Sequence, residues 1–557
     1  MLRASQDRYL KKMSDYSQEL HKLLQEMAEL IDQQADPDPQ LYMLFFQQPE
    51  LSLKLIDIIN QLDEEDDETI TLYSACVFAM DICVAQLQGA IEAKHKVRAR
   101  LLSALMNHLA EVINEEAHTL SFWLPVLNSF YESHVELNDA LKAAYLNLVS
   151  LEEAVMPEES FNSHLDAIRE LIQDLSDLSV FDIAENFFAQ SYAMPAEFFA
   201  DLIYDLYSIE EGVDIGLFTL LHPKAEVRAV AVDTLDMLIE QIQFTSNALS
   251  RLQSIMYWYP QQYHAMFQRW IKIQRKKGVV FASEPRAVKV EIKATEVDGS
   301  GSQGLFLHIR YGRKNRLGGL LLKYDTGTKD AWITPELPVK EVKEYYQQAF
   351  SENVTLRTVD MSYFVLFAEH FLAINLEHGE IPNMHFLELQ ELLGVRLKPN
   401  KIDMDDLLTQ LSVQITPFTQ EMVCDALQRS KSWLTTKPFT ESWFTESPLI
   451  DKLVNHNSSF VDGVRVCNLE NAMDAVFAED MEEQRPRWQF HFLWMALWMK
   501  AKERRNEKVW KDSFIIAHSI HEGKPLKEIP VMQEICRQTV INSVETMHER
   551  RTHFSQE

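Results

Sequence analysis

Glycine is scarce where a β-rich protein would need it. Of the fifteen glycines only three, Gly89, Gly212 and Gly216, fall between residues 40 and 275. Strands joined by tight turns need residues that accept positive φ, so this stretch is expected to be all helical. Cations are scarce there too: residues 1–250 hold 14 Lys and Arg against 44 Asp and Glu, whereas residues 251–557 hold 39 against 40. Nearly all of the formal net charge of −31 therefore belongs to the first half. A surface of that sign repels phosphate, which argues against nucleic acid as the partner of the N-terminal half.

Cysteine offers no framework either. Cys76, Cys83, Cys424, Cys467 and Cys536 are odd in number and widely spaced, with no CxxC pair, which suits reduced thiols in a reducing compartment. The opening MLRASQDRYLKKMSDYSQEL is charged throughout and lacks the apolar core of a secretion signal, so a cytoplasmic location is expected. The most apolar run, Ile70 to Ala90, carries Asp81, Gln86 and Gln88, which are expensive in hydrocarbon. It reads as a buried helix, and no membrane span is expected. An apolar content of 46% with 25% charged residues excludes disorder of the whole chain. At 557 residues the chain exceeds one core, so two or three domains or a repeat array is expected.

What is present begins with helices. Leu10, Met13, Leu20, Leu24, Met27 and Ile31 recur at three and four spacing, as in a short coiled-coil arm or an amphipathic first helix packed on the next. From residue 40 onward amphipathic segments follow each other, separated by polar breaks such as Asp63 to Glu68. The segment Leu220 to Leu238, LLHPKAEVRAVAVDTLDML, resembles a HEAT-type helical repeat. Pro223 stands at the inter-helix turn, Val227 and Arg228 follow it, and Ala231, Leu235 and Leu238 are small or apolar. Proline stops one helix, the arginine can bond backbone or acid in a neighbouring repeat, and small residues let helices approach. Val97 to Ile113 repeats the Val-Arg start 130 residues earlier, a spacing that fits three periods of about 43 residues. The resemblance implies an α-solenoid over residues 1–275, in which stacked helices hide their apolar stripes against one another.

The composition changes near residue 278, where eight of the fifteen glycines lie between Gly278 and Gly327. Val288, Val290, Ile292 and Ala294 alternate with polar residues, the period of a half-buried strand. Leu305 to Tyr311, Leu317 to Tyr324, Lys329 to Ile333 and Val354 to Val359 read as further strands, and Val339 to Phe350 and Met361 to Glu377 as helices. A small α+β module with an antiparallel sheet is expected over 276–400. Residues 401–557 return to helix and hold six of the ten tryptophans. Trp488 to Glu503 is apolar on every side, so that helix should be nearly enclosed, and Lys500, Lys502, Arg504 and Arg505 suit its C-terminal end. Leu249 to Pro335, with ATEVDGSGSQG, GGLLLK and KDAW, also resembles part of uncharacterised bacterial proteins that join HEAT-like helices to such a module. That resemblance implies no activity.

Several motifs suggest chemistry. Gly299, Gly301 and Gly304 spell GxGxxG, but LFLHIRYG after them reads as a strand, not as the helix that receives a pyrophosphate. A strand on each side is the setting of a kinase phosphate loop, with Lys323 where its lysine would stand, yet no HRD or DFG sequence follows. A hairpin turn explains the glycines equally well. Asp325, Thr326, Gly327 and Thr328 resemble the DTG turn of aspartic proteases, which need two facing carboxylates, whereas this chain offers one copy in a helical context. The candidate functional loop is therefore Asp298, Gly299, Gly301, Gly304, Lys323, Asp325, Asp330 and Trp332, and no catalytic, cofactor-binding or metal-binding set is assigned.

Histidines pair in sequence, His370 with His378 and His385, and His518 with His521 beside Glu522, but neither set has the three or four convergent ligands that zinc requires. Basic residues cluster at Arg269, Lys272, Arg275, Lys276 and Lys277 and at Arg310, Arg313, Lys314 and Arg316, near Trp258, Tyr259, Trp270 and Tyr311. Cations interleaved with aromatics suit a single strand of nucleic acid, and equally a solvated face. The sequence is thus read as a mostly α protein in three parts, 1–275, 276–400 and 401–557. It is expected to act as a scaffold that binds a protein partner of basic character without a cofactor. An enzyme centred on 298–332 is the alternative, nucleic-acid binding through the basic clusters a weaker one, and the oligomeric state stays open.

Overall fold

The computed structural model describes residues 19–33, 39–63, 69–92, 96–155, 161–282, 289–312, 314–349, 354–415, 417–437, 440, 442–461, 464–501 and 507–555. Leu10 and Met13, all of the acidic run after Asp63, Arg313, Lys502, Arg504 and Arg505 lie outside the described residues. The chain divides into two compact units, Met1–Gly216 and Leu217–Glu557. It is mostly helical, with a small antiparallel sheet in the middle.

In the first unit the described elements are helices alone. Scarce glycine and strong apolar periodicity leave the backbone no better way to satisfy its own hydrogen bonds. Polar residues mark the starts: Thr119 accepts from the Phe122 N–H, and Ser179 with Asp182 forms a reciprocal capping box. Each helix packs mainly on those one to three places along the chain. Lys96–Ile113 lies against Leu51–Ile59, Ile70–Glu92 and Asp139–Val155, and Leu120–Glu132 lies against Ile70–Glu92 and Val180–Gln190. In the first described helix, Leu20, Leu24 and Met27 are buried.

Ile70–Glu92 is, among the described residues, the one helix long and apolar enough to cross a membrane by length and composition. Here it packs between other helices through Ala75, Cys76, Ala79, Met80, Cys83, Val84 and Leu87. Its Asp81 accepts a hydrogen bond from Ser129 Oγ–H.

The second unit is built around a sheet of β1 (Lys289–Ala294), β2 (Ser302–Tyr311), β3 (Lys314–Lys323), β4 (Gly327–Ile333) and β5 (Arg357–Val359), in the order β4-β3-β2-β1-β5. The first four strands form a meander, and β5 returns to the β1 edge after helix Val339–Ala349. Alternation sorts the residues, interrupted by a register shift between β3 and β4 at Leu321 and Leu322. Ile292, Ala294, Gln303, Leu305, Leu307, Ile309, Leu320, Leu322 and Ala331 point to one buried face.

Three helices cover that face, two that follow the sheet directly and one from far along the chain. Met361–Glu377 supplies Tyr363 and Met384–Leu393 supplies Leu389, while Arg485–Lys500 supplies Trp494 and Trp498, whose indole N–H groups donate to Gln303 Oε1 and to Ala294 O. Trp443 adds a third, its indole donating to Val297 O at 2.9 Å. The aromatic C-terminal region therefore shares a core with the sheet. Helix Arg485–Lys500 is enclosed, with Trp488, Phe490 to Ala496, Trp498 and Met499 buried. A π-helical turn, Phe477–Met481, precedes it.

Residues 401–557 are not purely helical. Ser458–Val461 and Val464–Cys467 pair as a two-stranded hairpin. The HEAT-type segment lies in this second unit, as helix Ala225–Leu238 after a 3₁₀ turn. Val227 and Leu235 are buried in its packed face. Arg228 is buried and donates to His222 O at 2.8 Å and Pro223 O at 2.7 Å, so it ties down the turn that Pro223 makes. Its third bond, 3.1 Å to Gly379 O, reaches the end of helix Met361–Glu377, not a neighbouring repeat.

Candidate functional site

The glycine-rich loop folds as a turn organised by Asp298. Its carboxylate accepts from Ser300 Oγ–H at 2.7 Å and from the Ser302 N–H at 2.8 Å, while the Gly301 N–H donates to Asp298 O at 3.0 Å. Each glycine has a packing reason. A Cβ on Gly299 would stand 2.1 Å from the Ser442 carbonyl oxygen, and Gly301 has φ +78°, while a Cβ on Gly304 would lie 2.9 Å from the Phe306 ring. The loop runs directly into strand β2, not into a helix.

The β3–β4 turn is its neighbour, for the Tyr324 N–H donates to Gly301 O at 2.9 Å. Arg487 crosses the same end of the sheet, donating to Gly299 O at 3.1 Å and to Gln484 Oε1 at 2.8 Å. Asn375 holds the turn from below: its Oδ1 accepts from the Thr328 N–H at 2.8 Å, and its Nδ2 donates to Thr326 O at 3.0 Å and Thr328 O at 3.2 Å. Gly327, at φ +91°, lets that side chain approach. Asp325 is exposed at the tip, and Lys323 ends β3 opposite Ser302 and Gly327.

The fold thus gathers Asp298, Gly299, Gly301, Lys323 and Asp325 at one end of the sheet. Gly304, Asp330 and Trp332 lie elsewhere along it. Asp330 is exposed and accepts from Asn383 Nδ2 at 3.1 Å. Trp332 lies on the outer face over Gly319, with ring centroids 6.3 Å from Phe306 and 5.8 Å from Tyr345.

Sequence reading missed the polar groups that matter most inside this unit. Gln303 is buried, and its Oε1 accepts from Tyr363 Oη–H at 2.8 Å and from the Trp494 indole at 3.0 Å, while its Nε2 donates to Thr295 O at 2.8 Å. A polar residue at an inward position of an alternating strand was the available signal. His491, buried against Trp443 at 4.5 Å between ring centroids, was also missed; burial pushes its pKa down to about 3.

Of the paired histidines, His370 is buried with its ring stacked 4.9 Å from Phe490, and its Nδ1 accepts from the Ile402 N–H. Burial pushes its pKa down to about 4. His378 is exposed, so the two share no site. His385 Nδ1 pairs with Glu388 at 3.1 Å, and the other Glu388 oxygen meets Arg316 at 2.8 Å, a buried arrangement that fixes the start of helix Met384–Leu393. His518 packs at 5.0 Å from Phe418, while His521 and Glu522 are exposed.

Several members of the basic clusters have partners, although Arg269, Lys272, Arg275, Lys276, Arg310 and Lys314 are exposed. Arg269 pairs with Asp236, Arg275 lies over Phe281, and Lys277 caps the carbonyls of Ile239, Glu240 and Ile242. Lys314 pairs with Glu336 at 2.6 Å, which also accepts from Tyr311.

Charge separates at the boundary between the units. Residues 1–216 hold 12 Lys and Arg against 40 Asp and Glu, and residues 217–557 hold 41 against 44. The acids of the first unit therefore exceed its Lys and Arg by 28, and those of the second by 3. Glu111, Glu115, Glu116, Asp174, Asp177, Asp201, Glu210 and Glu211 are exposed. Burial pushes the carboxyls of Asp81 and Glu132 above the usual range, and in Glu132 the nearby charges of Asp81 and Glu185 add to the shift.

Two stretches match family models: residues 195–278 match the Y4lR second domain and residues 405–544 the Y4lR C-terminal helical domain. Both stretches are similar to Y4lR. The chain is also 26% identical over 359 residues to the uncharacterized protein y4lR of Sinorhizobium fredii (strain NBRC 101917 / NGR234). That similarity covers 62% of this chain and 66% of the relative, just under two thirds of its length. These likenesses support an uncharacterised bacterial family. No solved structure matches the chain.

Proposed function

We propose that the protein is a cytoplasmic, non-catalytic scaffold that captures a basic macromolecular partner on its acidic N-terminal helices, packed in sequence order in the manner of HEAT-type repeats. The observation that carries this reading is the count of 12 cations against 40 acids within the first compact unit. Such a surface holds a field that steers and selects a positively charged partner, and exposed pairs of this kind weaken with salt. The enzyme alternative is less favoured, because the glycines that suggested a phosphate loop have other reasons: a backbone contact at Gly299, positive φ at Gly301 and the Phe306 ring at Gly304.

The test is a titration of the full chain with a small basic protein and with an acidic protein of similar size, at about 50 and 300 mM salt. Capture of the basic protein should weaken at least about tenfold at the higher salt, and the acidic protein should not bind. Replacing Glu111, Glu115, Glu116, Glu210 and Glu211 with Gln should weaken it at low salt. Binding that ignores salt, or that treats both proteins alike, overturns the reading.

A further inference from the structure

Helix Pro39–Gln47, PQLYMLFFQ, carries its apolar residues on two faces. The inner face is spent: Phe45 is fully buried, and Tyr42 packs edge-on against Phe78 at 5.9 Å. The outer face shows Met43, 49% exposed, and Phe46, 55% exposed, three residues apart and so side by side on the helix surface. Large apolar side chains left in water as neighbours mark a place where something docks. Their surroundings in the chain are extreme. Residues 32–68 hold eleven Asp and Glu and a single cation, Lys54.

We infer that this outer face, with Met43 and Phe46 as anchors, seats a basic amphipathic helix of a partner protein. The inference rests on the acidic-capture reading and names its partner more closely. A helix presents apolar side chains at three and four spacing with cations on either flank, which matches an apolar pair set in an acidic stretch. Methionine adapts its shape to different apolar knobs, and phenylalanine fills a gap between them. An anionic membrane surface, which also receives basic amphipathic helices, is repelled by the same carboxylates.

Two labelled synthetic peptides of identical Leu and Lys composition separate the parts of the idea, one with helical amphipathic periodicity and one scrambled. The full-length protein should bind the amphipathic peptide at least roughly tenfold more tightly than the scrambled one. The peptide should gain helical circular dichroism as it binds. Met43→Ser with Phe46→Ser should erase that preference while leaving the affinity for the scrambled peptide unchanged. Both side chains are exposed, so the thermal melt should not move, and Phe46→Ala is the milder companion should the pair perturb folding. Equal binding of the two peptides by the unaltered protein overturns the seat and leaves charge-driven capture standing, as does a preference that survives the substitutions. Failure of both peptides to bind sinks the capture reading itself.

Discussion

Replacing Gln303 with leucine tests the core of the second unit directly. The two side chains are close in volume, so the cavity contribution is small and the loss falls on hydrogen bonds. Gln303→Leu removes the acceptor shared by the Tyr363 hydroxyl and the Trp494 indole, at 2.8 and 3.0 Å, and the donor to Thr295 O. Tyr363 and Trp494 are both buried, so no solvent replaces the lost partner. Each orphaned donor costs about 1–3 kcal/mol, which puts the loss at about 2–6 kcal/mol. Adding Tyr363→Phe removes one orphan and should return about 1–2 kcal/mol, so the double variant is expected to be more stable than the single one. Urea unfolding followed by tryptophan fluorescence reads this unit well, because nine of the ten tryptophans lie in it. A Gln303→Leu protein within about 0.5 kcal/mol of the unaltered chain would refute the reasoning, as would a double variant no better than the single.

Gly299→Ala should destabilise the second unit by about 1–3 kcal/mol, since its Cβ would press on the Ser442 carbonyl at 2.1 Å; a thermal melt as high as that of the unaltered protein would mean the loop is not packed as described. The two units should respond to acid in opposite directions. His370 and His491 are held neutral in the fold, with values of about 4 and 3, below the ordinary histidine value. Stability that depends on them is complete above about pH 6.5 and is lost as pH falls, by about 1.4 kcal/mol per pH unit for each histidine between 6.5 and the depressed value. Asp81 and Glu132 have raised values, so their contribution is lost as pH rises through the folded value and returns on acidification. Hydrogen exchange followed from pH 7 down through the ordinary carboxylate range, to about pH 4, should therefore show slower opening of Ile70–Glu92 and faster opening of Met361–Glu377, after correction for the intrinsic rate. The same direction in both segments contradicts this.

Much of the fold was legible because it rests on local periodicity. The alternation from Val290 to Ala294 and the glycines around it place β1 to β4 within a few residues of their observed ends, and Met361–Glu377 coincides with its helix. The enclosure of helix Arg485–Lys500 follows from aromatic residues on all its sides. The hairpin at Ser458–Val461 and Val464–Cys467 departs from the all-helical expectation for residues 401–557, although the sequence carries a common turn pair, Asp462 and Gly463, between its strands.

The candidate loop was less legible, since a glycine needed to admit a neighbouring carbonyl and one needed to cradle a phosphate leave the same letter in the chain. What decides between them at Gly299 is the carbonyl of Ser442, over a hundred residues away. Arg228 shows the same limit. Its type and turn were readable, but its bond to Gly379 O depends on which helix the tertiary fold brings alongside.

The partners of Gln303 and Ala294 on helix Arg485–Lys500 lie 191 and 204 residues downstream of them. On a ribosome that adds about 5–20 residues per second, the strands would emerge some 10–40 s before the tryptophans that close over them. During that interval the oily sheet face has only helices Met361–Glu377 and Met384–Leu393 over it from its own chain, which leaves the half-made protein incompletely covered and places its greatest exposure to aggregation before synthesis ends, not after.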